Sequence, residues 1–107
     1  MKRIVLPVFT VAIALAVILT LSPFAQAQGA DLYKAKCVAC HGADGTGSAM
    51  GKKMGAHDFT SADVQKMSDA ELTDVISNGK NKMPKYADKL KPEEIKGLVA
   101  YIRTLKK

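Results

Sequence analysis

Residues 36–42 read KCVACHG and contain the only two cysteines of the chain, Cys37 and Cys40, with His41 directly after the second. Two thiols three positions apart beside an imidazole admit four chemistries. A structural disulfide suits a small exported domain, but bridging so short a loop removes little entropy from the unfolded chain. A thioredoxin-like dithiol needs a strand–helix setting in a parallel sheet, and the chain shows no strand pattern. A zinc site would draw on Cys37, Cys40 and His41. Adjacent Cys40 and His41 point in divergent directions, however, and His57, the only other histidine, lies in a glycine-rich stretch. Covalent attachment of haem, for which C-x-x-C-H is the pattern, gives every position a task. Thiols one helical turn apart can each add to a vinyl group on one porphyrin edge. His41 then projects over the ring face toward iron, and Gly42 lets the chain turn away beside it. The run is read as a haem c site, with Cys37 and Cys40 as thioether donors and His41 as an axial ligand.

Iron then needs a second axial ligand or an open position. Beyond residue 27 the chain offers Met50, Met54, Met67, Met83 and His57. Methionines in general are flexible core filler. Met83 stands apart because Pro84 follows it in a loop, where a stiffened backbone can hold a thioether at a fixed distance. Met50 and Met54, in the glycine-rich stretch, are the runners-up, and Met67 belongs to the segment ahead of the middle helix. His57 reads as a surface residue or a neighbour of a haem propionate.

Helices and loops must position these side chains, and an all-α class with three main helices follows from the pattern. Residues 31–36 form a short helix running into Cys37, with Asp31 able to cap its start. Five of the eight glycines fall between His41 and Ala56, in a loop that wraps closely around something. The run GADGTG has neither the lysine spacing of a phosphate-binding loop nor the alternate acidic ligands of an EF-hand. Ser68-Asp69-Ala70-Glu71 is a capping box. Leu72, Val75 and Ile76 follow it at helical spacing, and Asn78-Gly79 ends that helix. Pro92, Glu93 and Glu94 open the last helix after a weak cap at Lys91. Its apolar stripe is Ile95, Leu98, Val99, Ile102 and Leu105. The region 80–90 between these helices is an irregular loop. Leu32, Tyr33, Phe59, Leu72, Leu98 and Tyr101 are the residues expected to bury the cofactor.

The N-terminus adds a compartment. Lys2 and Arg3 precede an apolar run from Ile4 to Leu21, and Ser22, Pro23 and Ala25-Gln26-Ala27 follow. A basic start, an apolar stretch and an A-x-A site are the parts of a cleavable secretory signal. An uncleaved membrane anchor is the competing reading, since the run approaches the ~18–20 residues that span a bilayer. Pro7 within the run and Pro23 as its breaker favour a leader over residues 1–27 and a single domain over 28–107. Of the 107 residues, 80 then remain, a size at which a cofactor or other staple is expected. Of the 16 Lys and Arg, Lys2 and Arg3 leave with the leader, and 14 stand against 10 Asp and Glu, a net charge of +4. That excess suits acidic protein surfaces and is too small and scattered for nucleic acid.

These residues resemble a small class I c-type cytochrome with one haem over nearly all of residues 29–105. In that family a glycine, an aromatic four residues later and the first haem cysteine four further on mark the N-terminal helix. Here they are Gly29, Tyr33 and Cys37. Leu98 and Tyr101 match the leucine and aromatic of the C-terminal helix, and Met83-Pro84 matches the loop of the axial methionine. The resemblance implies a cytochrome c fold whose first and last helices cross tightly at Gly29. It departs from the family where no proline follows His41 to supply the carbonyl that often fixes the second imidazole nitrogen. It implies a monomeric, periplasmic or otherwise extracytoplasmic one-electron carrier with His41/Met83 ligation that serves redox partner proteins with acidic docking surfaces. No acid, base or nucleophile cluster accompanies the site, which argues against an enzyme. Two alternatives are a haem subunit of a larger oxidoreductase and a haem protein whose labile methionine lets small ligands bind.

Overall fold

The computed structural model describes residues 23–107, and within them the chain forms six helices and no strand. Three are long: α1 (Pro23–Lys36), α5 (Asp69–Asn78) and α6 (Pro92–Thr104). Three are single turns: α2 (Val38–His41), α3 (Ala49–Lys53) and α4 (Ala62–Gln65). The leader expected over residues 1–27 lies mostly outside the described residues.

The first helix differs from the expectation. It begins at Pro23, so Asp31 is an interior residue and does not cap it. Proline is at home in a first turn, where its missing N–H has no helical partner to lose. The Ala and Gln residues that follow are tolerant of helix. Pro23 therefore opens a helix here.

The later helices start and stop as their sequences dictate. At α5, Ser68 Oγ accepts from the Glu71 N–H at 3.1 Å and Glu71 Oε1 accepts from the Ser68 N–H at 3.2 Å. Gly79 closes α5 at φ +76°, its N–H reaching the Val75 carbonyl. At α6 only the return half of the box exists, with Glu94 Oε1 accepting from the Lys91 N–H at 2.9 Å. A lysine side chain has no acceptor to complete it.

The core lies where α1 crosses α6, the most extensive helix pairing among the described residues. Gly29 packs directly against the Gly97 carbonyl, with no room for a Cβ. Tyr33 and Leu98 are each only 1 % exposed, and the rings of Tyr33 and Tyr101 meet at 4.9 Å. Leu72 and Ile76 bring α5 onto this unit, with Val64, Leu90, Ile95, Val99 and Ile102 completing the buried cluster. Gly97 is the half of the crossing that apolar periodicity did not reveal. A glycine inside a helix reads as a weak point until the facing backbone is seen.

Candidate cofactor site

The haem-type motif is built as a continuation of α1. The Cys37 N–H donates to the Tyr33 carbonyl and the His41 N–H to the Cys37 carbonyl, both at 2.9 Å. Gly42 then leaves the helix at φ +79°, and the buried Tyr33 hydroxyl donates to its carbonyl at 2.6 Å. The glycine-rich loop folds back on this turn. Gly47 N–H donates to the His41 carbonyl at 2.7 Å, Ser48 N–H to the Cys40 carbonyl at 3.0 Å, and Ser48 Oγ to the Ala39 carbonyl at 2.7 Å. Gly51 sits so close against the Cys40 carbonyl that no side chain fits between them.

One apolar cavity gathers much of the expected site. Cys37, His41 and Met83 line it, together with Lys36, Phe59, Ile76, Tyr86, Leu90, Leu98 and Ile102. Met83 is aimed there by a tight turn in which the Lys80 and Met83 backbones exchange hydrogen bonds of 3.2 and 2.9 Å, with Asn81 at φ +54°. Cys40 is half-buried on α2 but does not line the cavity. The runners-up lie elsewhere. Met50 and Met54 are 54 % and 40 % exposed, Met67 packs on the core, and His57 is exposed.

Of the residues expected to bury a cofactor, Phe59 and Leu98 line the cavity, while Leu32, Tyr33, Leu72 and Tyr101 serve the surrounding core. Ile76 and Ile102 belong to helical stripes visible in the sequence. Tyr86 and Leu90 come from the irregular loop, where no periodicity marks an inward residue. Their placement depends on the loop docking on α5, through the Tyr86 N–H to the Ile76 carbonyl and Ala87 N–H to the Ser77 carbonyl, both 3.0 Å.

The electrostatics are those of a dry site. Burial, with Cys40 as the second cause, pushes the Cys37 thiol up to about 11, so it stays protonated at neutral pH. Burial likewise pushes the His41 imidazole below its ordinary value, opposed in part by the backbone of His57. Tyr33 and Tyr86 are both shifted up, burial first and Cys37 second. Nδ1 of His41 is itself buried. A buried imidazole, a thioether and a thiol around one apolar space fit an iron porphyrin, whose metal takes nitrogen and soft sulfur.

Fold and site together define a small class I c-type cytochrome. Residues 24–102 match the family described as cytochrome c oxidase, cbb3-type, subunit III, and the chain belongs to it. Cytochrome c6 from Bryopsis maxima is 35 % identical over 69 % of this chain and 84 % of its own length. A cytochrome bc1 complex cytochrome c subunit from Corynebacterium diphtheriae is 33 % identical over 80 % of this chain but only 29 % of its own. Among solved structures, the KustC0563 c-type cytochrome superposes with a TM-score of 0.71 at 40 % identity, over 74 % of this chain and 98 % of that one. The chain is thus a haem c protein of electron transfer, its haem covalently bound. Among the described residues, no helix is long and apolar enough to cross a membrane.

Proposed function

We propose that the chain is an exported one-electron carrier whose haem is attached through Cys37 and Cys40 and ligated by His41 and Met83. The convergence of Cys37, His41 and Met83 on one apolar cavity is the observation that carries this reading. When bound, haem c supplies reversible one-electron exchange between ferric and ferrous iron. The protein's part is to hold, bury and orient. With His41 and Met83 on the iron no coordination position is left for a substrate, and a thioether favours the ferrous state relative to a second nitrogen ligand. The apolar lining disfavours the additional charge of the ferric state in the same direction.

Under this reading residues 1–27 are a leader removed after Ala27, and the carrier works as a monomer in the periplasm or an equivalent compartment. The packing supports that boundary: Ala27 and Gln28 are exposed, and Gly29 directly after them is buried. A second reading, a haem subunit of a larger oxidoreductase, is favoured by the family's description and by the match to a segment of a bc1-complex subunit.

The ligand set is tested optically. The ferric protein is expected to show the weak near-infrared band of a methionine–iron bond, and Met83→Leu is expected to remove it, lower the potential and admit small ligands. Met50→Leu and Met54→Leu are expected to leave the band in place. Loss of the band in either of those, with Met83→Leu unchanged, would reassign the ligand.

A further inference from the structure

Between Met83 and Leu90 the chain runs along the surface, with one exception. Pro84, Lys85, Ala87, Asp88 and Lys89 are exposed, and only Tyr86 turns inward, half-buried, to line the cavity. A tyrosine in such a place is ordinarily packing with a wet hydroxyl. Here the hydroxyl has a specific partner. It donates to the carbonyl of Lys36, 3.3 Å away and 50 residues earlier in the chain. Lys36 is the last residue of α1, stands directly before Cys37 and lines the same cavity.

The backbone of Tyr86 is fixed before its side chain reaches across. Its N–H donates to the Ile76 carbonyl at 3.0 Å, and its carbonyl accepts from the N–H groups of Lys89 and Leu90, both at 2.9 Å. The residue is thus pinned to α5 on one side and to the buried Leu90 on the other. From there its ring spans to α1, with Lys89 Nζ over it, 5.6 Å from the centroid. Met83 lies upstream in a turn closed by the paired Lys80 and Met83 backbones. A loop segment bonded to itself, with few buried contacts, opens locally at little cost. Among the described residues, Tyr86 is the first beyond that turn with a hydrogen bond to α1.

We propose that Tyr86 is the positioning residue for Met83: it latches the Met83 loop to the end of α1 and so limits how readily an outside ligand displaces the thioether. This rests on Met83 being an axial ligand. Displacement requires the loop to lift. Lifting it as far as Tyr86 breaks the hydroxyl bond to Lys36 and exposes the ring that walls the cavity. The hydroxyl contributes one hydrogen bond, a factor of roughly two to ten in the opening equilibrium. The ring contributes more, because its apolar area returns to water. The latch thereby separates a closed electron carrier from a haem protein open to small ligands.

The test is titration of the ferric holoprotein with imidazole, followed by loss of the near-infrared methionine–iron band. Tyr86→Phe keeps the ring and removes the hydroxyl. It is expected to show the band in the absence of imidazole and to bind imidazole roughly two- to tenfold more tightly than wild type. Tyr86→Leu is expected to bind it more tightly still, and Tyr86→Phe decides alone should that variant fail to fold. Gly29→Ala strains the α1–α6 crossing and leaves the latch in place, so its imidazole affinity is expected to match wild type. Wild-type affinity in Tyr86→Phe overturns the latch, and so does an equal rise in Gly29→Ala, which would mark a general loss of stability. Met83→Leu separates the underlying reading. If that variant keeps the band, Met83 is not the ligand; if it loses the band while Tyr86→Phe binds imidazole as wild type does, the ligand stands and only the latch fails.

Discussion

The α1–α6 crossing and the loop that carries Met83 flank the same core but are held together in opposite ways. At the crossing, Gly29 meets the Gly97 backbone, and Tyr33 and Leu98 are almost fully enclosed. Around Met83, the loop is tied by one tight turn, two hydrogen bonds to the end of α5 and the burial of Leu90. Regular helices facing each other at van der Waals distance stabilise themselves by contact alone. A loop whose inward residues are a thioether, a tyrosine and a leucine depends on what those residues close upon. The crossing is the part of the molecule that can exist for its own sake. On the proposed ligation, the Met83 loop is the part that the cofactor would complete.

Removing the covalent bonds is the largest perturbation. In Cys37→Ala with Cys40→Ala, expressed in the exported compartment, the apolar cavity loses its occupant. The remaining chain of about 80 residues has too little buried surface to offset its ordering entropy. Calorimetry is expected to show no cooperative transition. A sharp transition in that haem-free protein would mean that the crossing and the loops fold without help, and the contrast between the two regions would collapse.

Next in size is a single methyl at the crossing. Gly29→Ala places a Cβ against the Gly97 carbonyl, an atom of a helix backbone that cannot rotate away. Overpacking of this kind costs roughly 1–3 kcal/mol, and the thermal midpoint of the holoprotein is expected to fall accordingly. The near-infrared band is expected to stay, since the strain lies away from Met83. Unchanged stability would mean that α1 slides on α6, and the crossing would no longer be the rigid half.

The two regions also differ in how far they could be read from sequence. The capping box at Ser68, the glycine stop at residue 79 and the stripe of α6 were legible because each is a local rule with a fixed spacing. Cys37, Cys40 and His41 were legible because the motif is local too. Met83 was singled out by Pro84, by its loop and by the resemblance of Met83-Pro84 to the axial-methionine loop, and its place at the cavity depends on Asn81 in a left-handed turn, which no periodicity announces. The start of α1 was misplaced because Asp31 looks like a cap, while the stabilising contact, Gly29 on Gly97, joins residues far apart in the chain. Phe59 against His41 was invisible for the same reason: stacking is a tertiary fact.

Acid separates the regions more gently. The Asp44 carboxyl is held below its ordinary range first by the Thr46 hydroxyl and then by the Thr46 backbone, and Asp58 likewise by Thr60. A carboxyl whose folded value is depressed contributes stability that is complete above its unfolded value, about 3.9. That contribution disappears as pH falls through the lower folded value. Both turns lie in the segment 44–60, outside the crossing, and among the described residues no carboxylate is buried at the crossing. On acidification, amide protection factors are expected to fall across residues 44–60 before they do at Gly97–Tyr101. Asp44→Asn with Asp58→Asn is expected to flatten that acid limb. Simultaneous loss of protection in both regions would show that the turns do not act as a separate unit.

The smallest effect on the fold is expected from the lysines of the Met83 loop, and it bears on partners. Lys80, Lys82, Lys85, Lys89 and Lys91 are all exposed, and the one ion pair among them, Lys85 with Asp88 at 3.7 Å, is itself at the surface. Lysine runs are ordinarily solvated faces with no further task. Here the segment that carries them also brings Met83 to the cavity, so the charge sits beside the route by which electrons would leave. A basic field around that route steers an acidic partner into orientation and accelerates association more than it tightens the complex. Lys82→Glu with Lys85→Glu reverses two charges without touching a buried residue. Thermal stability and the haem spectrum are expected to stay as they are. The second-order rate of electron transfer to an acidic partner is expected to fall at low salt, and its ionic-strength dependence to flatten. Because surface charges are screened beyond about 10 Å at 0.1 M salt, wild type and variant should converge as salt rises. Equal rates at low salt, with the potential unchanged, would leave this loop as the holder of Met83 and nothing more.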